Sequence, residues 1–178
     1  LRYINSPYRG WKLTLFEGGI KVPLIFWKDG IESQAIPQRA SHIDIMPTIH
    51  GLISEGLEHD VDGVDLFSSQ FDLEKRPIFW KTGHNAVVIK GNWKLQVDDY
   101  SQKQWLYNLA TDPTEQIELS NQFPDKVDEL LSLINQHVDG AKESIYKPPL
   151  LANVKVDRTL KEVIEQGPVE DEESVWVS

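Results

Sequence analysis

The residues best suited to chemistry in this sequence lie in a short glycine-rich stretch near its start. Residues 7–23 read PYRGWKLTLFEGGIKVP, in which Lys12 stands between Gly10 and the pair Gly18–Gly19. Glycine lets the backbone approach another group closely or adopt a positive φ. A lysine ammonium is a compact point charge that suits a phosphate or sulfate oxygen. The stretch therefore predicts an anion site at Lys12. The alternative is a solvated loop in which the aliphatic part of the lysine side chain only packs along the protein surface.

The elements that position this loop are predicted from the residues after it. The apolar run 20–27, IKVPLIFW, has the length and composition of a strand buried on both faces of a sheet, and a turn at residues 28–30 ends it. Further along, Asp44 is predicted to be the N-cap of a helix with one apolar face. That face consists of Ile45, Ile49, Leu52 and Ile53.

A small antiparallel sheet is predicted in the second half of the chain, because four strand-like runs are separated by turn residues. The runs are 77–81, 86–90, 93–98 and 105–109. In the third run, Trp93, Leu95 and Val97 alternate with Lys94 and Gln96. This alternation predicts a strand with one buried face and one face in solvent.

The clearest helix is predicted over residues 124–139, where Pro124 suits the first turn and Gly140 suits the end. Its apolar side chains form one stripe at helical spacing, which we expect to pack on the sheet. The stripe consists of Val127, Leu130, Leu131, Ile134 and Val138. The second half of the chain is therefore predicted to be an α+β unit.

Histidines and the overall composition add few further candidates. His84 lies in the loop before the second predicted strand, where it is either a residue at the rim of a neighbouring site or an ordinary loop residue.

The sequence has no cysteine, which excludes disulfides, thiolate metal sites and a cysteine nucleophile. We also predict no metal ligand in this chain. Its formal net charge of −10 argues against nucleic-acid binding. No apolar run approaches the ~20 residues of a membrane span.

Five motifs in a fixed order resemble the sulfatase family, of the arylsulfatase type with an alkaline-phosphatase-like fold. The first is the loop itself, with the pattern R-G-x-K-x-x-x-x-E-G-G-[IV]-[KR]-[VE]-P. The others are S-H-x-D-[IL]-x-P-T, D-G-x-[SD]-L, G-x-[WY]-K-L and L-Y-[DN]-L-x-x-D-P-x-E. In this sequence they begin at Arg9, Ser41, Asp62, Gly91 and Leu106.

The resemblance implies the fold class and a division of the chain. Residues 1–66 would be the C-terminal part of the α/β core domain, and 67–75 a linker. Residues 76–145 would be a small C-terminal α+β subdomain, in which a helix packs on a four-stranded antiparallel sheet, and 146–178 a tail. The chain would be the C-terminal portion of the protein, with the missing N-terminal part as its partner. The resemblance also implies a periplasmic or secreted location.

The resemblance further implies an activity. Sulfatases hydrolyse sulfate esters to an alcohol and inorganic sulfate, and the residue that matches their sulfate-binding lysine is Lys12. Their formylglycine nucleophile and their calcium ligands would lie outside this chain, so the isolated chain would be inactive. The substrate would be a sulfated small molecule or carbohydrate. Two alternatives stay open, a metal-dependent phosphodiesterase or phosphonate hydrolase of the same superfamily, and a non-catalytic binding or structural module.

Overall fold

The structure is a computed structural model that describes residues 5–12, 14–30, 32–33, 35–53, 61–68, 72 and 75–141. The chain divides into two compact units, one from Leu1–Pro23 with Phe79–Ser178 and one from Leu24–Ile78. The N-terminal stretch groups with the second half of the chain. The boundaries expected for the whole protein stay a prediction, and the predicted tail at 146–178 lies outside the described residues.

The described part of the chain contains three α-helices and four strands. In chain order they are α1 (Glu17–Ile20), α2 (Ile45–Ile53), β1 (Ile78–Thr82), β2 (Asn85–Lys90), β3 (Trp93–Asp98), β4 (Lys103–Asn108) and α3 (Pro124–Asp139). The strands form one sheet in the order β1-β2-β3-β4, in which β3 pairs antiparallel with β2 and β4. The predicted four-stranded antiparallel sheet is confirmed. No described helix has both the length and the apolar composition needed to cross a membrane.

One face of the sheet packs against α3, as predicted. Val88 of β2, Leu95 of β3 and Leu106 of β4 are buried in one cluster with three residues of the helix. The three are Val127, Leu130 and Ile134. Leu131 is only partly buried, because it lies at the margin of this stripe, and Val138 at the end of the helix is 36% exposed.

The opposite face of the sheet is also covered, by residues from the start of the chain. Phe16 is buried there with Val87, Ile89, Tyr107 and Leu109, and Leu15 and Ile20 pack at the margin of this cluster. The prediction that β3 turns a polar face to solvent is therefore wrong. Lys94 is 0% exposed and Gln96 is 4% exposed. The reason is that residues 15–20, about eighty positions away in sequence, cover these side chains.

The predicted strand at 20–27 is not formed. Instead, α1 ends at Ile20, and residues 21–28 have no regular structure. Val22, Ile25 and Trp27 are 78%, 84% and 89% exposed. A strand requires a neighbour that pairs with its backbone groups, and the described part of the chain provides none here. Most of the apolar face predicted for α2 is likewise exposed, since Ile49 and Ile53 are 48% and 75% exposed and Leu52 is only half-buried. The buried side chains of that helix are Pro47 and Thr48.

Asp44 is not the N-cap that the sequence suggests. A 3-10 helix over His42–Asp44 precedes α2, and Ser41 is its N-cap. The Asp44 carboxylate accepts hydrogen bonds from the backbone N–H groups of Ser41 and Val64 at 2.7 and 3.0 Å. Both of its oxygens also bind the Arg76 guanidinium, at 2.7 and 2.6 Å. Burial opposes ionisation of Asp44, but these hydrogen bonds outweigh it and lower the pKa.

Candidate functional site

Lys12 lies in a turn whose flanking residues, Trp11 and Thr14, are joined by hydrogen bonds. The backbone N–H of Thr14 donates to the carbonyl of Trp11 at 3.0 Å, and the Thr14 hydroxyl donates to the same oxygen at 2.8 Å. The N–H of Trp11 in turn donates to Thr14 Oγ1 at 3.1 Å. Gly10, directly before this turn, has a φ of +83°, and a Cβ there would lie 2.3 Å from Thr14 Oγ1. Only glycine therefore fits at position 10.

The pair Gly18–Gly19 lets the two ends of the loop touch. The N–H of Gly18 donates to the Arg9 carbonyl at 2.7 Å, and the Asn5 side-chain amide donates to the Gly18 carbonyl at 2.7 Å. A Cβ on Gly18 would lie 2.4 Å from the Gly10 oxygen, and one on Gly19 would lie 2.1 Å from the Thr14 oxygen. The E-G-G sequence is therefore a requirement of this close backbone contact.

The Lys12 side chain is exposed at this turn. Among the described residues, no ion pair involves Lys12. The nearest acidic residue in sequence is Glu17, which is 6% exposed and pairs with Lys94. Glu17 therefore does not neutralise Lys12 in a surface pair.

A buried charged network joins the loop to the small sheet. The Lys94 ammonium lies 3.1 Å from Glu17 Oε1 and 2.7 Å from Glu115 Oε1. The backbone N–H of Glu17 also donates to Glu115 Oε2 at 2.6 Å. Burial raises the pKa of Glu115, and Lys94 offsets only part of that effect. Sequence reasoning missed this network, although each of its three residues lies inside one of the five motifs.

Arg9 holds the other end of the loop to the same sheet. Its guanidinium donates to the Tyr107 hydroxyl at 3.1 Å and to the Glu115 carbonyl at 3.2 Å. It also lies over the Phe16 ring, 4.2 Å from the ring centre. Burial raises the pKa of Tyr107, so its hydroxyl stays neutral and accepts the hydrogen bond from Arg9. The loop that carries Lys12 is thus attached to the sheet on both sides of the lysine.

His84, the second predicted site residue, lies at the turn between β1 and β2. Its ring makes a tilted contact with Tyr100, with 5.3 Å between the ring centres, and its carbonyl accepts the Asp99 N–H at 3.0 Å. Asp99 directly follows β3 and is five residues beyond Lys94, which corresponds to roughly 17 Å at the usual rise of a strand. No contact among the described residues joins His84 to the Lys12 loop, so the structure does not bring the two together.

Metal ligands are not grouped in the described part of the chain. No cluster of three or more His, Asp or Glu side chains there is arranged to hold a metal ion. His42 and His50, eight positions apart, are part of no such cluster. Neither calcium nor another metal is therefore assigned to described residues.

Several curated proteins that are similar in sequence to this chain are sulfatases. An N-acetylgalactosamine-6-O-sulfatase of Bacteroides thetaiotaomicron is 24% identical over 153 residues, which cover 71% of this chain and 29% of the relative. The N-acetylgalactosamine-6-sulfatase of Rattus norvegicus is 24% identical over 173 residues, with 75% and 33% covered. A rat steryl-sulfatase is 39% identical over 66 residues, which cover 35% of this chain and 11% of that protein. No protein-family model matches the sequence.

These matches confirm the resemblance to sulfatases that the motifs indicate, and they are consistent with a C-terminal sulfatase portion. The chain spans about a third of the length of the two N-acetylgalactosamine-6-sulfatase relatives. A solved structure from work on glycosaminoglycan metabolism in Bacteroides thetaiotaomicron aligns with a TM-score of 0.44 and 24% identity, over 56% of this chain and 25% of that one.

Proposed function

We propose that this chain is the C-terminal part of a sulfatase that hydrolyses sulfate esters to an alcohol and inorganic sulfate, and that Lys12 binds the sulfate group. One observation carries the proposal. Lys12 is exposed in a turn that two close backbone contacts fix, while its acidic neighbour Glu17 is buried and paired with Lys94. A lysine ammonium presented from such a turn is a point charge suited to an anionic oxygen.

Lys12 would act as a charge-stabilising group. Its ammonium neutralises one sulfate oxygen in the bound ester, and it does so more strongly as negative charge builds up in the transition state. The formylglycine nucleophile and the calcium ion that the resemblance implies would be held by residues outside this chain. The residues described here supply the anion contact and the structure that holds it in place.

The substrate is proposed to be a sulfated carbohydrate or another sulfated small molecule. The names of the relatives support this class, since two of them are N-acetylgalactosamine-6-sulfatases. The rest of the same polypeptide is proposed to cover the exposed apolar side chains. These include Val22, Ile25, Trp27, Ile49 and Ile53, all of which are at least 48% exposed.

The test is the kinetics of Lys12→Ala in the complete sulfatase polypeptide. We expect kcat/KM on a chromogenic aryl sulfate to fall by at least ~100-fold, the scale of losing one charge-stabilising group in an active site. Lys12→Arg should restore only part of the activity, because a planar guanidinium is not a point charge. Lys21→Ala is the matched control. That lysine lies in the same stretch, but its ammonium contacts the Tyr8 hydroxyl at 3.0 Å, and we expect little change.

If kcat/KM of Lys12→Ala lies within about threefold of the wild-type value, a difference below ~1 kcal/mol, the assignment of Lys12 to the active site is refuted. A parallel assay with a phosphate diester distinguishes the phosphodiesterase alternative, since faster turnover of the diester would favour it. The 178-residue chain alone is expected to hydrolyse neither ester, and clear turnover by the purified chain would contradict the proposed division of the active site.

A further inference from the structure

We propose that Lys94 is a positioning residue for the sulfate-binding turn, and that the small α+β unit exists in part to hold that turn in one geometry. The inference rests on the proposed role of Lys12. It adds a function to a lysine of β3, which lies 82 positions after Lys12 in the sequence. Lys94 itself is 0% exposed, so it acts on the site through Glu17 and not by touching the substrate.

The contacts of Lys94 reach the loop at its C-terminal end. Its ammonium binds Glu17, and it also binds Glu115, whose second oxygen accepts the Glu17 backbone N–H. The next residue, Gly18, donates to the Arg9 carbonyl and so closes the loop around Lys12. A movement of Glu17 would therefore be passed directly to the hydrogen bond that closes the loop.

The charge count shows why the position of Glu17 depends on Lys94. Two carboxylates, Glu17 and Glu115, lie beside one ammonium, and all three side chains are at most 7% exposed. Without the lysine, two like charges would remain in a place with little solvent, where repulsion and desolvation would drive them apart or protonate them. Buried ion pairs rarely add net stability over apolar residues, but their hydrogen bonds are directional. A directional link fits a positioning role better than a purely stabilising one.

A merely structural role is the competing explanation. In that case, loss of the network would weaken the whole sheet, and the loop would open only as the sheet unfolds. A positioning role predicts a local effect instead, in which the loop loosens while the core between the sheet and α3 stays intact. That core consists of apolar residues from another cluster, so the two parts of the structure can respond independently.

The first experiment is amide hydrogen exchange on the 178-residue chain. Glu17→Gln keeps the length and the acceptor oxygen of the side chain but removes its charge, and Lys94→Met removes the ammonium. We expect exchange at the Gly18 and Gly19 amides to become at least tenfold faster, with the amides of the β2–β3 ladder unchanged in Glu17→Gln. Lys90→Met is the matched control, because it breaks an exposed ion pair of the same sheet, with Glu129 at 3.0 Å.

The second experiment measures kinetics in the complete sulfatase polypeptide. We expect Glu17→Gln to lower kcat at least tenfold with KM within threefold, because a misplaced ammonium loses most where charge builds up in the transition state. Lys90→Met should change neither constant. Equal acceleration of exchange in the loop and in the ladder, or an unchanged kcat while Lys12→Ala is impaired, would overturn the positioning role and leave the proposed function standing.

The opposite pattern separates the two proposals. If the loop amides exchange faster in Glu17→Gln while kcat is unchanged in Glu17→Gln and kcat/KM is unchanged in Lys12→Ala, the link from Lys94 to the loop is supported. The sulfate-binding role of Lys12 is then refuted.

Discussion

The substitution Gly18→Ala tests most directly whether the lysine-bearing loop depends on backbone contact. The new Cβ would lie 2.4 Å from the Gly10 oxygen and 2.5 Å from the Arg9 oxygen. Real Cβ atoms essentially never come closer than 3.0 Å to such atoms, so the two backbone segments must separate by at least about 0.6 Å. Neither oxygen belongs to a flexible side chain that can turn away.

The expected cost has two parts. Forcing an extra methyl group into a closely packed place costs roughly 1–3 kcal/mol. The hydrogen bond from Gly18 to Arg9, 2.7 Å long in the wild type, would be stretched, and its loss costs about 1 kcal/mol. We therefore expect the free energy of unfolding of the sheet unit to fall by about 2–4 kcal/mol.

Urea unfolding followed by tryptophan fluorescence measures this change. Trp80, Trp93 and Trp105 pack against the two core clusters and report on the sheet, whereas Trp27 is 89% exposed and contributes a nearly constant signal. Gly140→Ala is the control, because its Cβ would meet nothing closer than the Gln136 oxygen at 3.6 Å. A loss below about 0.5 kcal/mol in Gly18→Ala, the range of ordinary surface substitutions, would refute the close-contact argument.

Two further predictions concern the core and the second unit. Leu130→Ala should destabilise the sheet unit by ~2–5 kcal/mol, because Leu130 is fully buried. Leu131→Ala should destabilise it by less, because Leu131 is only partly buried. Equal urea midpoints for the two variants would contradict the predicted position of the apolar stripe on α3. Since the folded state lowers the pKa of Asp44 below its usual 3.8, its contribution is fully present above that pH and is lost as the pH falls through the lowered value. Asp44→Asn, which leaves Arg76 unpaired, should cost ~3–5 kcal/mol at pH 7 and less as the pH falls below 3.8. Asp72→Asn in an exposed pair should cost at most about 1 kcal/mol at either pH. Parallel pH profiles for the two variants would count against this role of Asp44.

The fold of the sheet unit was predictable from local patterns. Glycine turns separate β1 from β2 and β2 from β3, and the apolar spacing of residues 124–139 agrees with the observed bounds of α3. The burial of Lys94 was not predictable in this way. Alternation along β3 indicates which residues share a face, but it does not reveal that a segment from the start of the chain covers the second face.

The role of Lys12 as a site residue stays a prediction. Lys12 came from the spacing of glycines and cations and from the motif, and the structure shows a turn that exposes it. The partners of Glu17 and Asp44 were missed, because their ion pairs join residues 77 and 32 positions apart. The apolar run at 20–27 was predicted as a strand from composition alone, which does not tell whether a pairing neighbour is present.

The distance in sequence between the loop and its supports also has a consequence for synthesis on the ribosome. The hydrogen bond from Glu17 to Glu115 joins residues 98 positions apart. At a translation rate of ~5–20 residues per second, Glu17 is synthesised about 5–20 s before Glu115. During that interval, Arg9, Phe16 and Glu17 have neither the sheet nor their charged partners to bind. A nascent chain that stops before Glu115 would therefore carry the lysine without the framework that holds it, and chaperones would meet an exposed phenylalanine and an unpaired carboxylate.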